Sequence, residues 1–131
     1  MEVKAELCKI IINETVDQQI IVIKETDGDR AFPIVIGMSE ILAIDRHTKG
    51  LKLARPMTHD LLNTVINKMD GEIEKVLITD LDGGTFYARL YIKSDSKTVD
   101  IDARPSDAIA LISGSDVPLF VDDAIFEKTM M

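Results

Sequence analysis

A β-hairpin pattern near the middle of the chain sets the strongest limit on the fold. From Thr85 to Ile92, apolar side chains alternate with tyrosine and arginine, as in a strand with one buried face. Asp82-Gly83-Gly84 directly before it favours a tight turn, and Glu72–Leu81 supplies the partner strand. The sequence therefore predicts a sheet that contains an antiparallel hairpin.

Other apolar runs and turn residues predict the remaining elements. Further strands are expected at Val3–Ile12, Val16–Lys24, Phe32–Ile36, Thr98–Asp102 and Val117–Val121. Helices are expected from Ser39 to about Lys49, from Thr58 to a stop at Gly71, and from Arg104 to about Gly114, with a helical tail at Ala124–Met131. This order predicts an α+β fold. The sheet is expected to be mixed, largely antiparallel and strongly curled or barrel-like, with about three helices.

Length, charge and cysteine usage narrow the class of protein. The 131 residues predict one domain spanning 1–131, and 46% hydrophobic with 29% charged residues is typical of a globular protein. The net charge of −8 argues against broad electrostatic binding of nucleic acid. Cys8, the single cysteine, lies in an apolar run and predicts a buried thiol in a reducing compartment. With no signal peptide and no membrane-length run expected, the sequence predicts a cytoplasmic protein without a membrane partner.

Two similar segments, Ala54–Leu62 and Ala103–Leu111, each read Ala-Arg-Pro followed by an aspartate and an apolar run. Proline fixes a helical φ at a helix start and pushes the residue before it into an extended conformation. A carboxylate in the first turn stabilises the exposed N–H groups, so a purely structural role explains both segments. The same geometry would also bind phosphate through helix N-termini and arginine.

Histidine and paired carboxylates offer further candidates with equally plain structural roles. His59 could be a general base or a metal ligand, or only a polar residue of the first helical turn. His47 is expected on the solvent side of its helix, so the sequence gives even less reason to assign it a function. Asp100 and Asp102 share one strand face, where carboxylates either hold a divalent cation or form the wet side of a sheet.

Five segments, taken in order, resemble the bifunctional nuclease domain family. They are Phe32–Ile44, Ala54–Leu62, Ile78–Leu90, Asp102–Leu111 and Val117–Ile125. The resemblance implies an α+β domain that forms homodimers and a nuclease acting on RNA and single-stranded DNA. The residues that match its motifs are Arg55, Thr58, His59, Asp60, Arg104, Ser106 and Asp107, and Glu40 lies in a matching Gly-x-x-Glu segment.

Three hypotheses follow. The first is a nuclease that hydrolyses phosphodiester bonds of RNA or single-stranded DNA with a divalent metal, Mg²⁺ or Mn²⁺. Its catalytic candidates are His59, Asp60 and Asp107; its substrate-binding candidates are Arg55, Arg104, Thr58 and Ser106; its metal candidates are Asp60, Asp107, Glu40 and Asp102. The second is a non-catalytic, dimeric binding or regulatory module for a phosphate-bearing ligand or a protein partner. In the third hypothesis Arg55 and Arg104 have a structural role as internal braces, each forming an ion pair with a carboxylate of the same chain.

Overall fold

A computed structural model describes residues 1–129 of the chain. Its seven strands are β1 (Glu2–Ile11), β2 (Gln19–Glu25), β3 (Ala31–Ile36), β4 (Gly71–Asp82), β5 (Thr85–Ser94), β6 (Lys97–Ala103) and β7 (Leu119–Asp122). Its four helices are α1 (Met38–Thr48), α2 (Thr58–Lys68), α3 (Pro105–Ile112) and α4 (Asp123–Thr129). Residues 130 and 131, the end of the predicted helical tail, lie outside the described residues.

All seven strands form one sheet in the order β3-β2-β1-β7-β4-β5-β6. Every pair is antiparallel except β4 with β7, which run parallel. The predicted α+β fold with a mixed, largely antiparallel sheet is therefore confirmed. The described residues contain four helices where about three were expected, because α4 forms a regular helix immediately after β7.

The sheet is strongly curled but not closed. In a flat sheet, strands β3 and β5 would lie about 24 Å apart, since neighbouring strands are spaced by about 4.8 Å. Yet Phe32 of β3 and Phe86 of β5 stack with their ring centroids 5.3 Å apart. The two edge strands, β3 and β6, are not hydrogen-bonded to each other. An open seam therefore remains where a barrel would close.

Helix α3 fills the inside of the curl. Seven of its eight residues are buried, and Asp107 is the exception. A helix that is apolar on nearly all sides belongs in a core, and Ala108, Ile109 and Leu111 join the main hydrophobic cluster. The second Arg-Pro segment therefore leads directly from the edge strand β6 into the centre of the fold.

Helix α2 has the opposite environment. None of its residues is buried, and Leu61, Leu62 and Val65 are all exposed. The predicted helix is therefore present, but most of its apolar face is exposed, and only Ile66 packs against the main hydrophobic cluster. Among residues 1–129, no helix is long and apolar enough to cross a membrane.

Local details differ from the sequence predictions at three points. Cys8 is exposed, not buried, because the register of β1 against β2 shifts between Leu7 and Lys9 and places it at an irregularity. The N-caps of α1 and α2 are Gly37 and Met57, earlier than the expected Ser39 and Thr58. Asp70, with φ of 62°, takes the left-handed conformation after α2, while Gly71 begins β4.

Candidate functional site

Helices α1, α2 and α3 bring the two Arg-Pro segments together. Two groups of charged side chains link the three helices. We call the first the Asp107 cluster, consisting of Glu40, His59, Arg104 and Asp107. We call the second the Asp60 cluster, consisting of Arg46, His47 and Asp60. Because His59 and Asp60 are consecutive on α2, one turn of that helix contributes to both.

In the Asp107 cluster, one carboxylate receives both a histidine and an arginine. Asp107 Oδ1 lies 2.9 Å from His59 Nε2, and Asp107 Oδ2 accepts a hydrogen bond of 3.0 Å from Arg104 Nε. Arg104 Nη2 also donates to Glu40 Oε1 at 2.8 Å. The hydrogen bonds to Asp107 and Glu40 raise the pKa of Arg104. The guanidinium is therefore charged and fixed in orientation from two sides.

Two groups of this cluster remain open for a ligand. Within residues 1–129, His59 Nδ1 and Arg104 Nη1 have no hydrogen-bond partner. The His59 side chain is 12% exposed and the Arg104 side chain is 67% exposed. If Nε2 of His59 donates to Asp107, the lone pair of Nδ1 is free to accept a proton. A carboxylate that fixes the tautomer of a histidine in this way is the arrangement of a general base.

In the Asp60 cluster, each charged or titratable side chain already has a hydrogen-bond partner. His47 Nε2 lies 2.7 Å from Asp60 Oδ1, and His47 Nδ1 lies 2.7 Å from the carbonyl oxygen of Ala110. Both ring nitrogens of His47 therefore lie within hydrogen-bond distance of an oxygen atom. Asp60 Oδ2 also accepts from Arg46 at 3.0 Å and from the Met57 N–H at 2.9 Å. This cluster ties α1 to the start of α2 and to α3.

These contacts lower the pKa of Asp60. The backbone hydrogen bond from Met57 is the largest cause, followed by the hydrogen bond from His47 and the charge of Arg46. A carboxyl whose pKa is lower in the folded state stabilises the fold above its ordinary pKa of 3.8. That contribution is lost as the pH falls through the folded-state value.

We expect Asp60→Asn to lower the free energy of unfolding by about 1–3 kcal/mol at pH 6, because it leaves Arg46 and His47 without their anion. Wild type loses the same interaction on acidification, so the difference between the two proteins should shrink towards pH 3. Urea unfolding between pH 3 and pH 7 measures this. The control is Asp45→Asn, which removes an i,i+4 pair with Lys49 and should cost under about 0.5 kcal/mol. A difference that stays constant with pH would contradict the role of the Asp60 carboxylate.

The other predicted substrate-binding residues are scattered. Arg55 is exposed in the segment before α2, and no ion pair involves it among residues 1–129. Thr58 is exposed at the first position of α2. Ser106 is 5% exposed, and no hydrogen bond of its side chain occurs in the described part of the chain. The predicted brace therefore exists for Arg104, while no such brace forms for Arg55 among residues 1–129; the arginine that pairs with Asp60 is Arg46.

The predicted metal-binding carboxylates do not converge. Among the described residues, no group of three or more His, Cys, Asp or Glu side chains is arranged to hold a metal ion. Asp60 and Asp107 each face an arginine and a histidine, and Glu40 faces Arg104. Asp102 lies apart on β6, opposite Arg89 of β5. This donor set does not fit a resident divalent cation, because a guanidinium already occupies the position beside three of the four carboxylates.

Two grooves flank the clusters. One, of about 440 Å³, lies at the seam of the sheet between β3 and the turn joining β4 to β5, with Arg104 and Ser106 in its wall. We call it the seam groove. The other, of about 560 Å³, lies beside His47 and Asp60 and is bordered by the segment from Gly50 to Leu53. Arg104 therefore belongs to the Asp107 cluster and also lines an open groove.

Sequence reasoning missed Arg46, and it was wrong to place His47 on the solvent side of its helix, because that side chain is only 13% exposed. Both lie in the last turn of α1, where cations are common because they complement the helix dipole. That reason is sufficient by itself, so the pattern gave no signal of a tertiary partner. The partners of His47 are 13 and 63 residues further along the chain.

The fold and the paired clusters describe an α+β domain with a histidine–aspartate pair beside a fixed arginine. The model of the bifunctional nuclease domain family matches residues 21–131, and the chain belongs to that family. An uncharacterised protein of Mycobacterium tuberculosis is 36% identical over 119 residues, which cover 91% of this chain and 71% of that protein.

Two plant relatives are named as nucleases. Bifunctional nuclease 2 of Arabidopsis thaliana is 31% identical over 107 residues, covering 78% of this chain. Bifunctional nuclease 1 of Oryza sativa subsp. indica is 25% identical over 118 residues, covering 87% of this chain. This chain spans only 32% and 36% of the length of those two proteins.

Proposed function

We propose that this protein hydrolyses phosphodiester bonds of RNA and single-stranded DNA at the Asp107 cluster. The observation that supports this most is His59, whose Nε2 lies 2.9 Å from Asp107 while Nδ1 has no partner among residues 1–129. The cluster sets this base beside Arg104, whose Nη1 edge is free and whose side chain is exposed. Membership of the bifunctional nuclease domain family supports the same activity.

Each group of the cluster has a defined role in this proposal. His59 Nδ1 takes a proton from the attacking water as the water oxygen bonds to phosphorus. The P–O bond to the leaving sugar oxygen breaks, and that oxygen takes up a proton from solvent and departs as a hydroxyl group. Asp107 orients the ring and stabilises the imidazolium that results. Arg104 binds the non-bridging phosphate oxygens and stabilises the charge that develops on them. Glu40 is a positioning residue, because it holds Arg104 without facing the phosphate.

The seam groove gives the substrate a path. It runs from Arg104 and Ser106 along the outer edge of β3. The chain has a net charge of −8, so affinity cannot depend on many phosphate contacts. We propose that one phosphate is held by Arg104 and that the rest of the strand is held by contacts that are not ionic.

The experiment that tests the activity is cleavage of end-labelled single-stranded RNA and DNA by rigorously purified protein. The assay is run in EDTA, in Mg²⁺ and in Mn²⁺. Cleavage in EDTA supports direct acid–base catalysis by His59. Cleavage only with a metal supports the metal-assisted route that the sequence suggested and overturns the water activation proposed for His59. No cleavage under any condition overturns the nuclease proposal.

A second candidate is a non-catalytic binding or regulatory module. It is favoured by the internal charge compensation of the clusters, since Arg46 and Arg104 both face carboxylates, as expected of structural braces. A phosphate-bearing ligand that raises the melting temperature without being hydrolysed would favour this candidate over the enzyme.

We also propose a cytoplasmic location, because the chain has a single cysteine and so cannot form an internal disulfide.

We propose that the protein is a homodimer and that α2 forms the contact. Met57, Leu61 and Val65 lie at intervals of four residues, which places them on one face, and all three are exposed. Leu51 and Leu53, in the segment before α2, are also exposed. Exposed apolar surfaces of this kind are commonly sites of contact with another protein chain.

We expect the double variant Leu61→Lys with Val65→Lys to be monomeric under conditions in which wild type is a dimer. The reason is that two unpaired charges would be buried at the contact. Light scattering after size-exclusion chromatography measures the mass. The control is Val16→Lys, at an exposed apolar residue between β1 and β2, which should leave the dimer intact. A monomeric wild type, or a dimeric double variant, would contradict the proposed contact.

A further inference from the structure

Among residues 1–129, one aromatic side chain has neither an aromatic nor a cationic partner. The chain has four phenylalanines, two tyrosines and no tryptophan. Phe32 stacks on Phe86 and meets Phe126 edge to face, while Tyr91 and Phe120 lie under the ammonium group of Lys75. Tyr87 alone has neither an aromatic nor a cationic partner among residues 1–129, and it is 44% exposed.

The strand register places Tyr87 beside the candidate site. In the antiparallel pair of β5 and β6, Arg89 lies opposite Asp102 and Ala88 opposite Ala103. Continuing these pairs by one residue reaches Tyr87 within β5 and Arg104 directly after the end of β6. The preceding residues of β5, Thr85 and Phe86, border the seam groove together with Arg104. The backbone positions of Tyr87 and Arg104 therefore lie at the same end of the β5–β6 pair, beside the seam groove.

Charge determines which part of a nucleotide suits each position. Asp80 of β4 lies opposite Tyr87 on the other side of β5, and its carboxylate disfavours a phosphate over the ring. A base is uncharged and planar, and an aromatic face binds every base. Arg104, with a free Nη1 edge, is the group suited to the phosphate.

We propose that Tyr87 stacks on an unpaired base of the nucleotide whose phosphate is bound by Arg104. Tyr87 would thereby determine the preference for single strands, because a base within a duplex has both faces covered by its neighbours. This inference rests on the proposed function in one respect, namely that the Asp107 cluster binds a nucleic-acid phosphate. It adds the recognition element that the acidic surface otherwise lacks.

The absence of tryptophan allows a direct spectroscopic test. In Tyr91→Phe, Tyr87 is the single tyrosine of the chain, so the intrinsic tyrosine emission reports on that ring alone. Tyr87→Phe is the matched protein that reports on Tyr91 alone. Each is combined with His59→Asn, which is expected to prevent cleavage, and is titrated with an eight-residue oligothymidylate. We expect quenching with Tyr91→Phe and no change with Tyr87→Phe, because a base stacks on Tyr87 only.

Affinity provides the second readout. Fluorescence anisotropy of a labelled oligothymidylate should show binding weakened about 5- to 150-fold by Tyr87→Ala, the range that corresponds to the loss of one stacked base. Tyr87→Phe should bind as wild type does, since it keeps the ring. Unchanged affinity in Tyr87→Ala, or quenching carried by Tyr91, would overturn the inference.

The binding and cleavage assays fail independently. Quenching and a loss of affinity without any cleavage by wild type would support Tyr87 as a base-binding residue while overturning the nuclease proposal. Cleavage by wild type with Tyr87→Ala as active and as tightly bound as wild type would overturn the inference and leave the nuclease proposal standing. Oligothymidylate that neither binds nor quenches would overturn the inference as well.

Discussion

Replacing His59 by asparagine is expected to lower the rate of phosphodiester cleavage by about 10²- to 10⁴-fold, the usual contribution of a general base. The asparagine amide has no nitrogen that accepts a proton at neutral pH, and it is too short to replace the contact of His59 Nε2 with Asp107. The melting temperature should fall only modestly, because a single hydrogen bond is lost and Asp107 keeps its hydrogen bond from Arg104. Initial rates on labelled single-stranded RNA, with melting curves of the same preparations, measure both effects.

His47→Asn is the matched control for that experiment. Both ring nitrogens of His47 are engaged, with Asp60 and with the carbonyl of Ala110, so this variant should lower the melting temperature more than His59→Asn does. Its rate, measured well below its melting temperature, should remain near that of wild type. His47 on α1 and His59 on α2 would thus behave differently: the loss of His47 mainly lowers the melting temperature, and the loss of His59 mainly lowers the rate. Equal loss of rate in both variants would count against His59 as the base.

Arg104→Ala is expected to lower the cleavage rate by about 10²- to 10³-fold, as removal of one group that stabilises transition-state charge commonly does. Arg104→Lys should recover little of this loss. A lysine ammonium keeps the charge, but it cannot reach Asp107 and Glu40 with a planar fork while still presenting a free edge. Because the Arg104 side chain is 67% exposed, the melting temperature should fall only slightly in either variant.

Arg55→Ala provides the comparison between the two Arg-Pro segments. No carboxylate within the described residues orients Arg55, so its loss should alter the cleavage rate by less than about tenfold, mainly through KM. Steady-state kinetics with the three variants and wild type measure these effects. A loss in Arg55→Ala as large as that in Arg104→Ala would show that both segments serve one site. Full activity in Arg104→Ala would remove the phosphate role from the Asp107 cluster.

Local patterns predicted the local parts of this fold. The alternation from Thr85 to Ile92 and the glycines before it identified the hairpin of β4 and β5, since strand period and turn chemistry are short-range properties. The contact of Arg104 with Asp107 is also local, being three residues apart at a helix start. Motif comparison selected His59 and Asp107 separately but did not bring them together.

Long-range contacts determined what the sequence did not reveal. His59 meets Asp107 across 48 residues, and Glu40 meets Arg104 across 64. These contacts depend on the position of α3 inside the curled sheet. The spacing of apolar residues along the sequence does not indicate that position. Cys8 shows the same limit on a small scale, because the shift of register in β1 depends on its pairing with β2.

The position of β7 has a consequence for biosynthesis. This strand of four residues lies between β1 and β4 and joins two antiparallel meanders, β3-β2-β1 and β4-β5-β6. β1 leaves the ribosome long before β7, so Val3 cannot pair with Val121, its partner in the ladder, until β7 has emerged. Each meander can pair its own strands during translation, but the sheet becomes continuous only after β7 emerges. We therefore expect the nascent chain to expose the edges of β1 and β4 until β7 emerges, which makes chaperone binding most important before that point.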